Sequence, residues 1–164
     1  SHCPCSNMLL ASGQCRTLEL QSAGSPIGLG VDGSASNDGS NMVAEVRQAF
    51  LLQRLRYGSA AVTHHDALGW ETRGGADVLG RPRLGSLRPG MAADFGIYAL
   101  DALRFSGHGD PVAALVMCGA SEVRDLMVNG EWRVRGGQIP GLDLARLRAH
   151  HQEAAERLVA RCNG

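Results

Sequence analysis

The spacing of apolar positions changes along this chain, and each regime predicts a different kind of structure. Ser1 to Asn7 reads as a short buried strand running into a loop, and Leu18 to Ala23 as a short helix stopped by Gly24. Pro26-Ile27-Gly28-Leu29-Gly30-Val31 is an apolar run bounded by glycine, suited to a strand buried on both faces of a parallel sheet. The run ends on Asp32. Gly33 to Asn41 is then built from turn formers and is expected to be a loop. Asn41 supplies an N-cap for a helix with Val43, Val46, Phe50 and Leu51 on one face, Glu45 favourable to its early dipole, and Gly58 as its stop. A further helix is expected from Thr63 to Arg73, with Thr63 as N-cap, Asp66 in the capping-box position and Gly74-Gly75 as the stop. Helical structure should end near Gly80.

From Leu84 the pattern shifts to short alternating runs broken by glycine. Gly85 to Gly90, Ala93 to Tyr98, Ala113 to Cys118, Val123 to Val128 and Glu131 to Arg135, the last after an Asn129-Gly130 turn, predict a small antiparallel sheet. A helix-like insertion around Asp110 to Ala114 interrupts it. Strands this short and few are expected to need further strands from outside the chain. Leu142, Leu144, Leu147, His151, Ala154, Leu158 and Val159 then predict an amphipathic helix of about five turns.

Composition narrows the function classes. Sixteen basic residues face sixteen acidic ones, so no global field attracts a nucleic acid or an anionic membrane. All sixteen basic residues are Arg, which removes Schiff-base and phosphate-loop lysine chemistry from this segment. Charged or glycine residues interrupt every apolar run well before about 18 residues, so no membrane span is expected. The five cysteines, Cys3, Cys5, Cys15, Cys118 and Cys162, are odd in number and irregular in spacing, which points to reduced thiols and a cytoplasmic setting. Cys3-Pro4-Cys5 lacks the spacing of a zinc clip, and the His-x-Glu and Pro-Cys-x-x-Cys elements of cysteine-based nucleobase deaminases do not occur. The opening at Ser1, apolar and without a lead-in, has the character of mid-chain sequence. An N-terminal part of the same protein is therefore expected before it, and the lack of a leader carries no weight.

A carboxylate at the C-terminal end of a buried parallel strand stands where barrel and doubly wound folds assemble their active sites, which makes Asp32 a candidate. An Asx turn, with Asp32 bonded to the Ser34 or Ala35 amide, accounts for the pattern equally well. Of the histidines, His64 and His65 at a helix start and His150 and His151 on the last helix are expected at the surface. Asp38 and Asp110 read as turn formers, and Tyr57, Trp70 and Trp132 as core or interface anchors.

Four linked motifs occur in order. Ser1-His2-Cys3-Pro4-Cys5-Ser6-Asn7 and Gly28-Leu29-Gly30-Val31-Asp32-Gly33-Ser34-Ala35-Ser36-Asn37-Asp38 resemble strands seven and eight of the amidohydrolase (β/α)8 barrel. Thr72 to Arg81 with Gly85 to Asp94, and later Val128-Asn129-Gly130, resemble the segments by which that family's chain enters and closes its small β-domain. Ser36 to Met42, Leu51 to Gly58 and Phe105 to Pro111 are most similar to the branch of 8-oxoguanine deaminases and hydroxytriazine aminohydrolases, such as hydroxydechloroatrazine ethylaminohydrolase.

The resemblance implies an α/β fold: the last two strands of a metal-dependent (β/α)8 barrel over residues 1–80, part of a small β-sandwich domain over 81–139, and a C-terminal helix over 140–164. It implies one divalent metal ion, zinc or iron, with Asp32 as both metal ligand and proton shuttle, and with the imidazole ligands on earlier strands. His2, Asn7 and Ser36 would support the site through hydrogen bonds or by anchoring the substrate-side loop. The implied reaction is hydrolytic deamination of an aromatic nitrogen heterocycle, 8-oxoguanine or guanine first and a hydroxytriazine second. A homo-oligomer is also expected. A reading of another class, a noncatalytic assembly piece that has lost the metal, differs in one feature: it would lack the upstream His-x-His.

Overall fold

Where a long first strand is expected, a single parallel bridge joins His2 to Leu29. The His2 amide donates to Gly28 O at 2.8 Å and the Gly30 amide to His2 O at 3.0 Å. In this computed structural model, which describes residues 1–120 and 122–162, the rest of the expected strand is helix α1, Pro4–Leu9. Pro4 explains the change. It has no N–H to give a strand ladder, and its fixed φ suits the first position of a helix. The Ile27–Val31 run is extended as expected, with Ile27 and Leu29 buried, but its pairing is confined to Leu29.

Helix α2, Thr17–Ser22, and helix α3, Met42–Tyr57, match the expected segments. The Asn41 side chain accepts from the Ala44 amide at 3.1 Å, and Gly58 ends α3 at a φ of 97°. The buried face of α3 carries Val43, Val46, Ala49 and Phe50 together with two polar residues, Glu45 and Gln53, each 0% exposed. Gln53 Oε1 accepts from Thr17 Oγ1 at 2.8 Å while its Nε2 donates to Cys15 O at 3.2 Å, which ties α2 and the turn before it to α3.

Helix α4, His64–Gly69, does not stop at Gly74-Gly75. It continues through a wider π-helical turn, Trp70–Gly74, into helix α5, Gly75–Val78. The two glycines serve packing instead of termination. A Cβ at Gly74 would lie 1.9 Å from Ile27 O, and one at Gly28 would lie 3.2 Å from Gly75 Cα, so this helical run rests directly on the extended backbone. Ile27, Leu29, Val46, Ala49, Phe50, Val62, Ala67, Trp70 and Val116 form the main core. Trp70 is thus a core anchor.

The Thr63 cap is formed in full: Thr63 Oγ1 accepts from the Asp66 amide, and the Asp66 carboxylate accepts from the Thr63 amide at 2.8 Å. Thr63→Ala is expected to cost about 1 kcal/mol locally, seen as roughly fivefold faster hydrogen exchange in the first turn of α4. The Thr63 side chain and then its amide hold the Asp66 carboxyl below its ordinary range. A depressed pKa stabilises the fold above the unfolded carboxylate value and ceases to do so as pH falls through the folded one. The difference between wild type and Asp66→Ala should therefore shrink in acid.

Beyond Gly80, the strands are β1, Phe95–Ile97, β2, Asp125–Val128, and β3, Glu131–Val134, forming one antiparallel sheet in the order β1-β2-β3. Phe95 pairs with Met127 and Val128 with Glu131, and Trp132 packs edge-on against Phe95 with ring centroids 6.0 Å apart. Gly85 to Gly90 forms no strand. The expected strand at Ala113 to Cys118 is instead helix α6, Pro111–Met117. Asp110 Oδ1 caps it by accepting from the Val112 amide at 2.8 Å and the Ala113 amide at 3.2 Å, and Pro111 starts it. A continuous apolar run following Asp-Pro therefore folds as a helix. The last helix, α7, Leu144–Cys162, is formed as expected and buries none of its residues. Among the described residues no helix is long and apolar enough to cross a membrane.

Candidate active site

The extended run delivers Asp32 to its end at a φ of 65°, in the left-handed region that Asp tolerates better than most residues. The carboxylate is exposed. Asp32 Oδ2 accepts from Ser6 Oγ at 2.6 Å and stands 3.4 Å from Ser36 Oγ. The two hydroxyl oxygens are 2.8 Å apart. Each hydroxyl carries one proton, and Asp32 Oδ2 is the acceptor within reach of both. The result is a pair of hydroxyls, one from α1 and one from the loop, gathered at one carboxylate oxygen. The Ser6 hydroxyl first, then the Gly33 amide and the Ser36 hydroxyl, hold the Asp32 carboxyl below the usual carboxylate range.

These donors differ from the Asx turn considered above, since the carboxylate is held from α1 and by Gly33 instead of by the Ser34 or Ala35 amide. All are neutral. Among the described residues no Arg or His pairs with Asp32, so its negative charge is oriented without being cancelled. A lone ionised carboxylate in that state fits a divalent cation as one ligand of a set.

Of the supporting residues expected from sequence, Ser36 joins this network and is buried. Asn7 does not. It sits half-buried on α1 one residue past Ser6, and among the described residues its side chain makes no hydrogen bond to the site. His2 lies beside the site in the paired run, 3% exposed, and neither ring nitrogen has a partner among the described residues. Burial lowers its pKa, and the nearby Glu45 carboxylate works against that shift.

Three residues of the arrangement had not been singled out. Ser6 is the direct partner of Asp32. Glu45 and Asn37 form the layer beneath: Glu45 Oε1 accepts from Asn37 Nδ2 at 2.6 Å, Glu45 Oε2 accepts from the Cys5 amide at 3.0 Å, and Asn37 Nδ2 also reaches Val31 O at 2.8 Å. One buried carboxylate thus fastens the start of α1, the end of the extended run and the loop after Asp32 to α3. Glu45 favours an early dipole only incidentally. The available signal was its place on the apolar stripe, one helical turn before Ala49 and two before Gln53. Burial and then Glu45 push the Cys5 thiol up to about 12, which keeps it protonated.

His64, expected at the surface, is half-buried, with Nε2 2.8 Å from Asp110 Oδ2. Asp110 is a cap as well as a turn former. His150 and His151 are exposed as expected, and Asp38 lies in a turn, as expected of a turn former. Tyr57 anchors by a hydrogen bond to Glu19.

The chain is 58% identical over 159 residues to an 8-oxoguanine deaminase of Pseudomonas aeruginosa, covering 97% of this chain and 35% of that protein. It is 38% identical over 148 residues to a hydroxydechloroatrazine ethylaminohydrolase of Pseudomonas sp. strain ADP, covering 87% of this chain and 31% of the relative. Its coordinates match the crystal structure of an adenosine deaminase from Xanthomonas campestris with bound zinc at a TM-score of 0.89 and 31% identity, over 97% of this chain and 37% of that one. The chain therefore spans about a third of the length of the relatives it matches, and the expected α/β fold class holds. The family profile itself matches residues 1–133, and on these grounds the chain belongs to the amidohydrolase family.

Proposed function

We propose that this chain is the C-terminal part of a metal-dependent hydrolytic deaminase acting on an aromatic nitrogen heterocycle, with 8-oxoguanine as substrate. Residues 1–80 would supply the last two barrel strands and their helices, 81–139 part of the small β-domain, and 140–164 the terminal helix. The observation that carries the reading is Asp32, an exposed carboxylate held through neutral donors and left with its charge uncancelled. The choice of substrate is supported by the relative named 8-oxoguanine deaminase, and a hydroxytriazine stays second through the ethylaminohydrolase.

Asp32 would be one ligand of a divalent ion, with zinc favoured by the zinc-bound relative and the remaining ligands contributed from outside this chain. Such an ion, when bound, lowers the pKa of coordinated water toward about 7. Replacing an amino group by hydroxyl requires water to lose a proton and the departing nitrogen to gain one. Asp32 can accept the first at a carboxylate oxygen and return it to the nitrogen, which leaves as ammonia. Ser6 and Ser36 would orient that carboxylate through its other contacts, and the main chain of His2 would hold the extended run that ends at Asp32.

The test is ammonia release by the full-length protein from 8-oxoguanine, guanine and a hydroxytriazine, alongside metal content per chain. Activity on 8-oxoguanine that disappears with chelation and returns with zinc or iron is the expected result. Bound metal with no deamination of any of the three would overturn the substrate assignment. A full-length protein that binds no metal would overturn the mechanism and favour a noncatalytic assembly role.

A further inference from the structure

His64 and His65 open α4 side by side, and both rings turn toward one oxygen of Asp110, 46 residues further along from His64. His64 Nε2 is 2.8 Å from Asp110 Oδ2, and His65 Nε2 is 3.8 Å from the same atom. One donor atom from each residue falls within 4.8 Å of the other two. We propose that His64, His65 and Asp110 form a binding site for a divalent transition-metal ion of the zinc class, made of residues other than those proposed around Asp32.

Ligand chemistry comes first. Two imidazoles and one carboxylate suit zinc, nickel or copper, and three protein ligands leave a position open to water or an incoming group. Geometry agrees with this. Zinc bonds of about 2.1 Å in tetrahedral array separate ligand atoms by roughly 3.4 Å. The observed 2.8 and 3.8 Å lie on either side of that value, so small side-chain rotations, His64 outward and His65 inward, would seat an ion.

The ligands are held in advance by groups that would not be consumed in binding. The Thr63–Asp66 capping box fixes the turn that carries both histidines. Asp110 uses Oδ1 to cap α6, accepting from Val112 and Ala113, which leaves Oδ2 directed at the imidazoles. Fastening α4 to α6 by hydrogen bonding needs only one imidazole. Yet His65, with a side chain 63% exposed and free to extend into water, lies over its neighbour with ring centroids 4.4 Å apart and its Nε2 facing the same oxygen.

One electrostatic effect opposes the site, because the N-terminal ends of α4 and α6 both carry partial positive charge. That repulsion is screened by salt and falls off within the first turn. Here Asp66 and Asp110 already cap both ends. Coordination by three ligands outweighs the remainder.

The experiment uses the full-length protein, stripped by chelator and dialysed against graded ZnCl2 or NiCl2, with metal per chain measured by elemental analysis. Wild type should take up one more ion per chain than the His64→Ala/His65→Ala double variant. Outer partners of metal ligands typically contribute about 10- to 100-fold to affinity, so loss of a direct ligand should weaken binding at this site by at least about tenfold. His65→Ala is the safeguard against misfolding, since the side chain it removes is mostly exposed, and it should show the same weakening. Asp110→Asn keeps an oxygen for the α6 cap and should also lose affinity. In an Asp32→Asn background the difference between wild-type and double-variant site residues should persist. Equal metal per chain and equal affinity in wild type, His65→Ala and the double variant would overturn the site.

Discussion

Asp32→Asn is expected to lower turnover of the full-length protein by at least about a hundredfold, even after metal content has been restored. An asparagine oxygen can still accept from Ser6 and from the Gly33 amide, so the local arrangement of α1 and the loop should survive. What goes is the negative charge and the ability to hold a proton. General acid and base catalysis typically contributes about 10²- to 10⁴-fold, and weakened activation of water adds to that loss. Because the lost interaction acts on the reacting groups, kcat and kcat/KM should fall together. Asp38→Asn is the internal control. Asp38 is exposed in the same loop, and a turn-forming role is one that asparagine can reproduce, so its rate should stay within a few-fold of wild type. Ammonia release from 8-oxoguanine measures both. An Asp32→Asn enzyme within tenfold of wild type would remove this residue from the chemistry, and an equal loss in Asp38→Asn would move the role to another acid.

The sequence made the helical half of the fold legible because its signals there are local. Asn41, Gly58 and the Thr63–Asp66 pair act within one turn of themselves, and each is found capping or ending the helix expected of it. Strand signals depend on partners. The Ser1–Asn7 and Pro26–Val31 runs carry the composition of buried parallel strands, yet pairing here is limited to His2 and Leu29, and Pro4 turns the remainder of the first run into helix. At Ala113 to Cys118 the apolar run could be strand or helix by itself, and two residues before it, Asp110 and Pro111, cap and start a helix. Gly74 and Gly75 look like a terminator in one dimension. In three dimensions Gly74 is the place where a helix touches Ile27 O.

The candidate site divides the same way. Asp32 was legible because its position at the end of an apolar run and its glycine-rich sequel are both sequence facts. Ser6 was not, because nothing in its spacing of 26 residues from Asp32 announces a hydrogen bond. The His64, His65 and Asp110 cluster was invisible for a related reason. It depends on α4 packing against α6, which starts within the expected helix-like insertion around Asp110 to Ala114 but runs on through residues expected as a strand.

Glu45→Ala is expected to be the most damaging substitution among the residues that support the site without touching substrate. The Glu45 side chain is 0% exposed, and its two oxygens serve two different segments, Cys5 through its amide and Asn37 through its side chain. Truncation strands a buried donor in each. Hydrogen bonds to charged groups are worth about 1.5–3 kcal/mol each, and the vacated volume adds a cavity penalty. Relief of the carboxylate's own desolvation works in the opposite direction and accounts for part of the total. The balance is a loss of roughly 2–4 kcal/mol. Glu45→Gln should lie between, because its amide oxygen can keep one of the two contacts while its NH2 faces a donor at the other. Urea unfolding of the full-length protein tests the size of the effect, and hydrogen exchange tests its location, with faster exchange expected at the Cys5 amide. Turnover adds a third measure. If Glu45 holds α1 and the Asp32 loop in register, a displacement of about 1 Å can lower the rate by as much as about a hundredfold in protein that is still folded. Gln53→Ala makes the comparison specific, since that side chain is equally buried on α3 but fastens Thr17 and Cys15 instead of the loop. It should destabilise while leaving turnover of the folded protein much nearer to wild type. Equal losses of turnover in the two variants would mean that α3 supports the fold as a whole, with no special path from Glu45 to Asp32.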